Sequence, residues 1–316
     1  MVTSPSVDAL YGGQAITALR ALNPGKVIVP EGEEAKTWGA TEELLSGLIE
    51  HGLDRRGVVV ALGGGSVGDS AGFAASVYMR GIRVVQVPTT LLGQVDSGVG
   101  GKTAVNHPSG KNLIGSFHQP SLVACDTALL ETLSPRELRS GLAEVAKYGV
   151  ISDAILYKGL EVEADGLLSG DAERLRWMVG RCVASKARYV EADERDDAGM
   201  RVALNYGHTV GHAVETLSGH SIRHGEAVAT GMVAASRVAH GLGLLKRADL
   251  MRQIDLIERL GLPVEVPYGL DEILPLMMRD KKAEAGSIHF VLSTGIGSEP
   301  VVRRVSDEEL RGALGG

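Results

Sequence analysis

Four short runs of β-branched residues, each followed by a stretch of helical character, dominate the first part of this 316-residue chain. They are Lys26-Val27-Ile28-Val29-Pro30, Val58-Val59-Val60-Ala61-Leu62, Val84-Val85-Gln86-Val87-Pro88 and Leu122-Val123-Ala124-Cys125-Asp126. A run that stays apolar at successive positions, instead of alternating, buries both faces, so these segments read as strands of a parallel sheet covered by helices. Beyond Ser134-Pro135 the character changes. Long stretches such as Glu173 to Val190 and Gly225 to Gly241 read as helices. The expected organisation is an α/β domain over 1–134 and a mostly α-helical domain over 135–316, packed together with a cleft between. The late run Ile288 to Leu292 is expected to be one strand or a small hairpin.

Glycine is abundant, 42 residues, which fits many tight strand-to-helix turns. The net charge of -7 argues against nucleic-acid binding, which leans on a basic surface. Two cysteines, Cys125 and Cys182, cannot make a disulfide framework, so a reducing compartment is expected. The start lacks the basic and apolar regions of a signal peptide, and no run reaches the ~18 apolar residues of a membrane span. A soluble, cytoplasmic protein without membrane contact is the expectation.

Asn205 to Glu226 holds four histidines, two glutamates and four glycines. His208 and His212 stand at i and i+4, on one face if the segment is helical, and His224 follows a short turn that could return it to the same place. Imidazoles and carboxylates converging in this way suit zinc or a similar divalent ion. Capping and surface histidines are the alternative. In Leu142-Ala143-Glu144-Val145-Ala146-Lys147-Tyr148, Glu144 and Lys147 stand at i and i+3 among apolar neighbours. Either a surface ion pair or a carboxylate ligand fits that spacing.

Gly63-Gly64-Gly65-Ser66-Val67-Gly68-Asp69 lies between an apolar run and a small-residue helix, where backbone N–H groups can approach a pyrophosphate. The spacing differs from Gly-x-Gly-x-x-Gly, and a tight packing turn is the alternative. Pro88-Thr89-Thr90 puts two hydroxyls at the carboxyl end of the next strand, where ligands of open α/β sheets bind. Gly100-Gly101-Lys102-Thr103 is not a P-loop, because Asp96 stands where the earlier glycine belongs. Its lysine and Gly110-Lys111-Asn112 read as holders of a phosphate or carboxylate, or as a solvated basic loop.

Together these segments resemble the 3-dehydroquinate synthase family. The motifs are Ala61 to Gly65 with Gly68-Asp69, Val87 to Leu92, Gln94 to Ser97, Gly100 to Asn106, Gly141 to Glu144, and Leu204-Asn205 with Gly207-His208-Thr209. The resemblance runs from about Val27 almost to the C-terminus. It implies a Rossmann-like NAD-binding domain and a helical domain with a divalent metal, zinc or cobalt. It implies Glu144, His208 and His224 as metal ligands and His212 as a proton-transfer and substrate group. NAD contacts are implied for Glu33, Lys36, Gly64, Gly65, Ser66, Val67, Gly68, Asp69, Thr89, Thr90, Lys102, Lys111, Leu129, Leu130, Glu131 and Thr132. Substrate contacts are implied for Asp96, Lys102, Asn112, Lys147, Lys186, Arg201, Asn205, His212 and the pair Lys281 and Lys282, and Arg80 is implied to reach the substrate phosphate across a homodimer interface. His212, Lys102, Asn112, Lys147 and Asn205 are the implied catalytic set. Relative to that family the chain starts late, so about one edge hairpin of the first domain is expected to be missing, and His118 stands where tyrosine is more usual.

The implied substrate is 3-deoxy-D-arabino-heptulosonate 7-phosphate, a sugar-acid phosphate. The implied reaction is an NAD-mediated oxidation, phosphate elimination, re-reduction and aldol closure without net redox. Other sugar-phosphate cyclases, metal-dependent polyol dehydrogenases of the glycerol dehydrogenase type, and a non-catalytic NAD-binding module are the rival readings.

Overall fold

The computed structural model describes residues 1–219, 221–278 and 287–315. It divides into two units, Met1–Leu133 and Ser134–Gly316.

The first unit is built on a five-stranded parallel sheet of β1 (Val2–Thr3), β2 (Val27–Ile28), β3 (Val58–Gly63), β4 (Arg83–Pro88) and, after the hairpin described next, β7 (Leu122–Val123), in the order β2-β1-β3-β4-β7. All four apolar runs become strands, although only two residues of the first and last pair in the ladder. The two-residue β1 has too short a pattern to be seen in the sequence. It sits inside the sheet, with Val2 opposite both Val27 and Ala61.

Among the helices, α1 (Gly13–Leu19) and α2 (Trp38–Glu50) precede α3 (Gly65–Val77). α3 buries Ser70, Ala71, Gly72, Ala74 and Ala75. Small side chains are required there because α3 packs on β3 and β4 and also on β5 (Lys102–His107). A Cβ on Gly72 would lie 2.5 Å from Thr103 Cγ2. Val59, Ala61, Val67, Ala71, Val84 and Leu44 form the core between sheet and helices, where a buried Val or Leu contributes about 1.5–3 kcal/mol.

The glycine-flanked lysine segment is not a solvated loop. β5 pairs antiparallel with β6 (Gly110–Phe117), Lys102 opposite Phe117, with an irregularity between Val105 and His107. Along β5 the side chains alternate, with Thr103 and Val105 buried and Lys102, Ala104 and Asn106 less so, the signature of a half-buried strand. His118, just beyond the hairpin, donates from Nε2 to the Ile82 carbonyl at 2.8 Å.

The second unit packs helices α4 (Pro135–Ser152), α5 (Ala154–Leu168), α6 (Ala172–Ala192), α7 (His208–Leu217), α8 (His224–Gly241), α9 (Arg247–Arg259), α10 (Leu270–Met277) and α11 (Asp307–Leu314) with a hairpin of β8 (Ser287–Leu292) and β9 (Val301–Ser306). Ser134 caps α4 by accepting from Glu137 N at 3.3 Å, and Pro135 fills the first turn, which explains the change of pattern seen at Ser134-Pro135. α4 and α8 are buried along most of their length, so they form the centre of this unit. Among the described residues no helix is long and apolar enough to cross a membrane.

Candidate active site

In the second unit three helices deliver one donor set. Glu144 lies mid-way along α4 and is fully buried; His208 and His224 are the first residues of α7 and α8. One ligand atom from each falls within 4.8 Å of the others. Glu144 Oε1 lies 3.4 Å from His208 Nε2 and 3.1 Å from His224 Nε2. Ligand atoms around a tetrahedral ion with bonds of ~2.0–2.1 Å stand about 3.3 Å apart, so Glu144 Oε1 lies at that spacing from both imidazoles.

Each donor is aimed by a second contact. Lys147 Nζ takes the other carboxylate oxygen, Glu144 Oε2, at 2.5 Å, with both side chains buried, which leaves Oε1 facing the imidazoles. The i, i+3 spacing therefore makes an ion pair inside the unit and not on its surface. His208 donates from Nδ1 to the Tyr206 carbonyl at 3.1 Å, so its Nε2 carries the lone pair. His224 Nδ1 lies 3.4 Å from Glu215. Outer partners of this kind fix the tautomer of a metal-binding imidazole.

Burial pushes His208 down to about 3, which keeps it neutral and able to ligate. Burial would also lower His224, but its contacts with Glu144 and Glu215 outweigh this and raise it to about 10. A divalent ion would take the place of that proton, in the usual exchange of proton for metal.

Close backbone approach makes the convergence possible. A Cβ on Gly231 of α8 would lie 1.9 Å from the Gly207 carbonyl, and one on Gly225 1.9 Å from the Ser140 carbonyl. Gly207, with φ +82, turns the chain from the 3-10 segment Met200–Asn205 into α7, a conformation glycine adopts at no steric cost.

The other expected residues of this unit fall around that set or apart from it. The exposed His212 ring meets His208 edge-on, with centroids 5.2 Å apart. Asn205 is exposed at the end of the 3-10 segment. Lys186 and Arg201 are both buried, and Arg201 Nη1 donates to the Glu194 carbonyl at 3.1 Å. Glu226, within the histidine-rich segment, instead makes a two-pronged pair with Arg136, 2.7 Å at each contact. Lys281 and Lys282 lie outside the described residues. Glu215 was not singled out from sequence, yet a signal was there: it stands seven residues after His208, on the same helical face as His208 and His212.

In the first unit, Gly64 caps α3 without a side-chain hydrogen bond, leaving backbone N–H groups at the helix start. A Cβ on Gly64 would meet Thr90 at 3.2 Å, and one on Gly65 would meet Ser97 Oγ at 2.8 Å. Gly68 is closed against Gln86, 2.8 Å from its would-be Cβ. Thr89 is buried, and its N–H donates to the Gly63 carbonyl at 2.9 Å. Thr90 Oγ1 accepts from Gly93 N at 3.0 Å. The 3-10 turn Thr127–Leu130 is held by Tyr11, whose hydroxyl donates to the Leu129 carbonyl at 3.1 Å and pairs with Thr132 Oγ1 at 2.7 Å.

A polar network runs beside this turn. Buried Lys36 donates to Asp69 Oδ2 at 2.7 Å and to Asn112 Oδ1. Asn106 accepts from Asn112 N at 3.1 Å and donates to Glu33 at 2.7 Å, and Lys111 lies 3.9 Å from Glu33. The structure thus brings Glu33, Lys36, Asp69, Lys111 and Asn112 together, with Asn112 in the left-handed region at φ +57. Asp96 is half-buried in the π turn Gly93–Ser97, whereas Lys102 is exposed. Exposed Arg80 has φ +68 beside Met79 at +48, a strained pair of the kind found at functional turns. Gln94, which opens the motif Gln94 to Ser97, is fully buried and donates to the carbonyls of Pro88 and Asp126 at 3.1 and 2.7 Å, tying the strand end to the loop after β7.

A doubly wound sheet with a glycine-rich turn before a helix, and a helical unit with a Glu-His-His donor set, define the class: a two-unit α/β enzyme with dinucleotide-type and metal-type sites. The 3-dehydroquinate synthase N-terminal profile matches residues 26–140, and the C-terminal profile matches residues 141–283. The 3-dehydroquinate synthase of Nostoc punctiforme is 46% identical over 323 residues, covering 100% of this chain and 89% of that protein. The chain belongs to the 3-dehydroquinate synthase family. Among solved structures, the 2-epi-5-epi-valiolone synthase of Streptomyces hygroscopicus, with NAD+ and Zn2+ bound, superposes with TM-score 0.91 at 32% identity, covering 99% of this chain and 88% of that one. A 2-deoxy-scyllo-inosose synthase complexed with carbaglucose-6-phosphate, NAD+ and Co2+ gives 0.89 at 28% identity, covering 100% and 90%.

Proposed function

We propose that this chain converts 3-deoxy-D-arabino-heptulosonate 7-phosphate to 3-dehydroquinate and phosphate, using NAD and a divalent metal, zinc or cobalt. The observation that carries the reading is the match to both family profiles across residues 26–283 in a chain whose Glu144, His208 and His224 share one site. Those three residues hold the metal. Glu33, Lys36, the turn Gly64 to Asp69, Thr89, Thr90, Lys102, Lys111 and Leu129 to Thr132 hold NAD.

When bound, NAD accepts and returns a hydride, and the metal acidifies the hydroxyl it holds. Everything else falls to the chain. Lys147 neutralises one oxygen of Glu144, so the site presents a single directed carboxylate oxygen. Buried Lys186 and Arg201 supply the positive charge that lets an acidic protein bind a sugar acid carrying both a carboxylate and a phosphate. His212, edge-on to His208, moves a proton to or from the substrate as its acid-base group. Asp96, Lys102, Asn112 and Asn205 orient the substrate, and Arg80 completes the phosphate site across a homodimer. Cys125 and Cys182 form no disulfide, which suits a reducing cytoplasm. A polyol dehydrogenase would have no use for the buried cations.

The reading is tested by phosphate release from the heptulosonate phosphate beside release from a hexose 6-phosphate, which lacks the carboxylate. Preference for the sugar acid by at least about 100-fold, or ~2.7 kcal/mol, is expected. Equal or faster turnover of the hexose phosphate would reassign the chain to another cyclase activity.

The Lys36 network gives a second expected result. Lys36→Met leaves Asp69 and Asn112 without their shared cation, and NAD affinity should fall about tenfold, equal to ~1.4 kcal/mol. Titration of NAD into the metal-loaded variant checks this; an unchanged dissociation constant would remove Lys36 from the nucleotide site.

A further inference from the structure

Asp193 is the residue after α6, a position where a carboxylate is disfavoured because the helix C-terminus already carries negative partial charge. It is nonetheless 3% exposed. Its Oδ1 accepts from Asp197 N at 3.0 Å and Ala198 N at 3.2 Å, and its Oδ2 accepts from Met200 N at 3.0 Å. Burial alone would raise its pKa, but these backbone donors hold it below the usual carboxylate range. The loop wrapped around the carboxylate turns through left-handed Asp196, φ +55, and Gly199, φ +80. Its first carbonyl, that of Glu194, accepts from Arg201 Nη1 at 3.1 Å.

Upstream of Asp193, α6 carries buried Lys186; downstream, the segment it clasps carries Arg201, then Asn205, then His208. A carboxylate placed against the helix dipole and surrounded by main-chain donors fixes how the second of these segments leaves the first. We infer that Asp193 is a positioning residue for the anion site: it clasps the loop 194–200 so that the Arg201 guanidinium stands at a set distance from the Lys186 ammonium. This rests on the substrate reading above, which gives both cations to the sugar-acid phosphate. Asp193 itself touches neither substrate nor metal.

The test is a double-mutant cycle of Asp193→Asn and Arg201→Ala in the NAD- and zinc-loaded enzyme. Asparagine keeps the size but turns one acceptor oxygen into a donor facing a backbone N–H. KM for the heptulosonate phosphate should rise about tenfold or more in Asp193→Asn, while kcat and zinc affinity stay within about threefold; tenfold corresponds to ~1.4 kcal/mol. In the Arg201→Ala background the same change should raise KM no further, the sign of two groups acting through one another. An unchanged KM in Asp193→Asn, or an equal rise with and without Arg201, would overturn the inference, as would KM, kcat and zinc affinity worsening together. Should Asp193→Asn fail to fold, Asp193→Glu, which keeps the charge, enters the same cycle with the same outcomes. If the wild type releases no phosphate from this substrate, the substrate reading is what fails. The cycle is then read on the dissociation constant of inorganic phosphate, where loss of coupling to Arg201 still overturns the role of Asp193.

Discussion

Glu144→Gln is expected to lower metal affinity by at least about 100-fold and turnover by roughly 1,000-fold, and to destabilise the chain even without metal. The first figure follows because loss of an outer partner of a metal ligand already costs 10–100-fold, and Glu144 supplies the ligand oxygen itself. The second follows because a Lewis-acid metal supplies several kcal/mol of transition-state stabilisation, and ~4 kcal/mol is about 1,000-fold in rate. The third has a different origin. Glu144 and Lys147 are 0% and 1% exposed and paired at 2.5 Å, and removing one member of a buried pair costs about 3–5 kcal/mol, because the other charge is left buried. His208→Ala separates these effects, since it removes a ligand and leaves the pair intact. It should match Glu144→Gln in lost zinc binding and fall well short of it in lost thermal stability of the metal-free chain. Zinc titration against a competing chelator and melting curves with and without metal provide the readings. Zinc binding within threefold of wild type in Glu144→Gln would exclude it as a ligand.

Gly231→Ala should also abolish most zinc binding, although Gly231 is no ligand. Inside a helix, replacing glycine with alanine ordinarily gains about 1 kcal/mol. Here the new Cβ would lie 1.9 Å from the Gly207 carbonyl and 2.9 Å from Gly211 N, and both are backbone atoms that cannot swing aside. Overpacking against side chains costs about 1–3 kcal/mol, so a clash with main chain should reach or exceed about 3 kcal/mol and outweigh the propensity gain. The displaced element is the start of α7, one residue from His208, so the separation of His208 from His224 must change. Gly219→Ala, which meets nothing within 4 Å but has φ +57, is the control: it should cost about 1 kcal/mol of backbone strain with zinc affinity unchanged. A Gly231→Ala protein with wild-type melting temperature and zinc affinity would show that the two helices can separate without loss.

Much of this architecture was legible because it is local. Val58 to Leu62 and Val84 to Pro88 carry the unbroken apolar pattern of central parallel strands, and both appear as strands in register, Val58 opposite Arg83. The i, i+4 spacing of His208 and His212 placed two rings on one face, and their centroids lie 5.2 Å apart. What escaped is long-range or short. Nothing in spacing joins Glu144 to His224, 80 residues apart; only the resemblance to a family suggested it. Lys36 and Asn112 meet across 76 residues, through a hairpin whose glycines and lysines disguised its alternation. Val2–Thr3 is too short to carry any period. Asp193 gave no signal because its partners are backbone N–H groups, which every sequence possesses.

The most direct measurement follows phosphate release and NADH absorbance together, with the heptulosonate phosphate, NAD and zinc or cobalt, before and after chelation. Phosphate released in many turnovers, lost on chelation, restored by metal and unaccompanied by lasting NADH, is the expected result, because the hydride removed must be returned. Lasting NADH in step with turnover, or phosphate release indifferent to chelation of a demonstrably metal-free protein, would contradict the account.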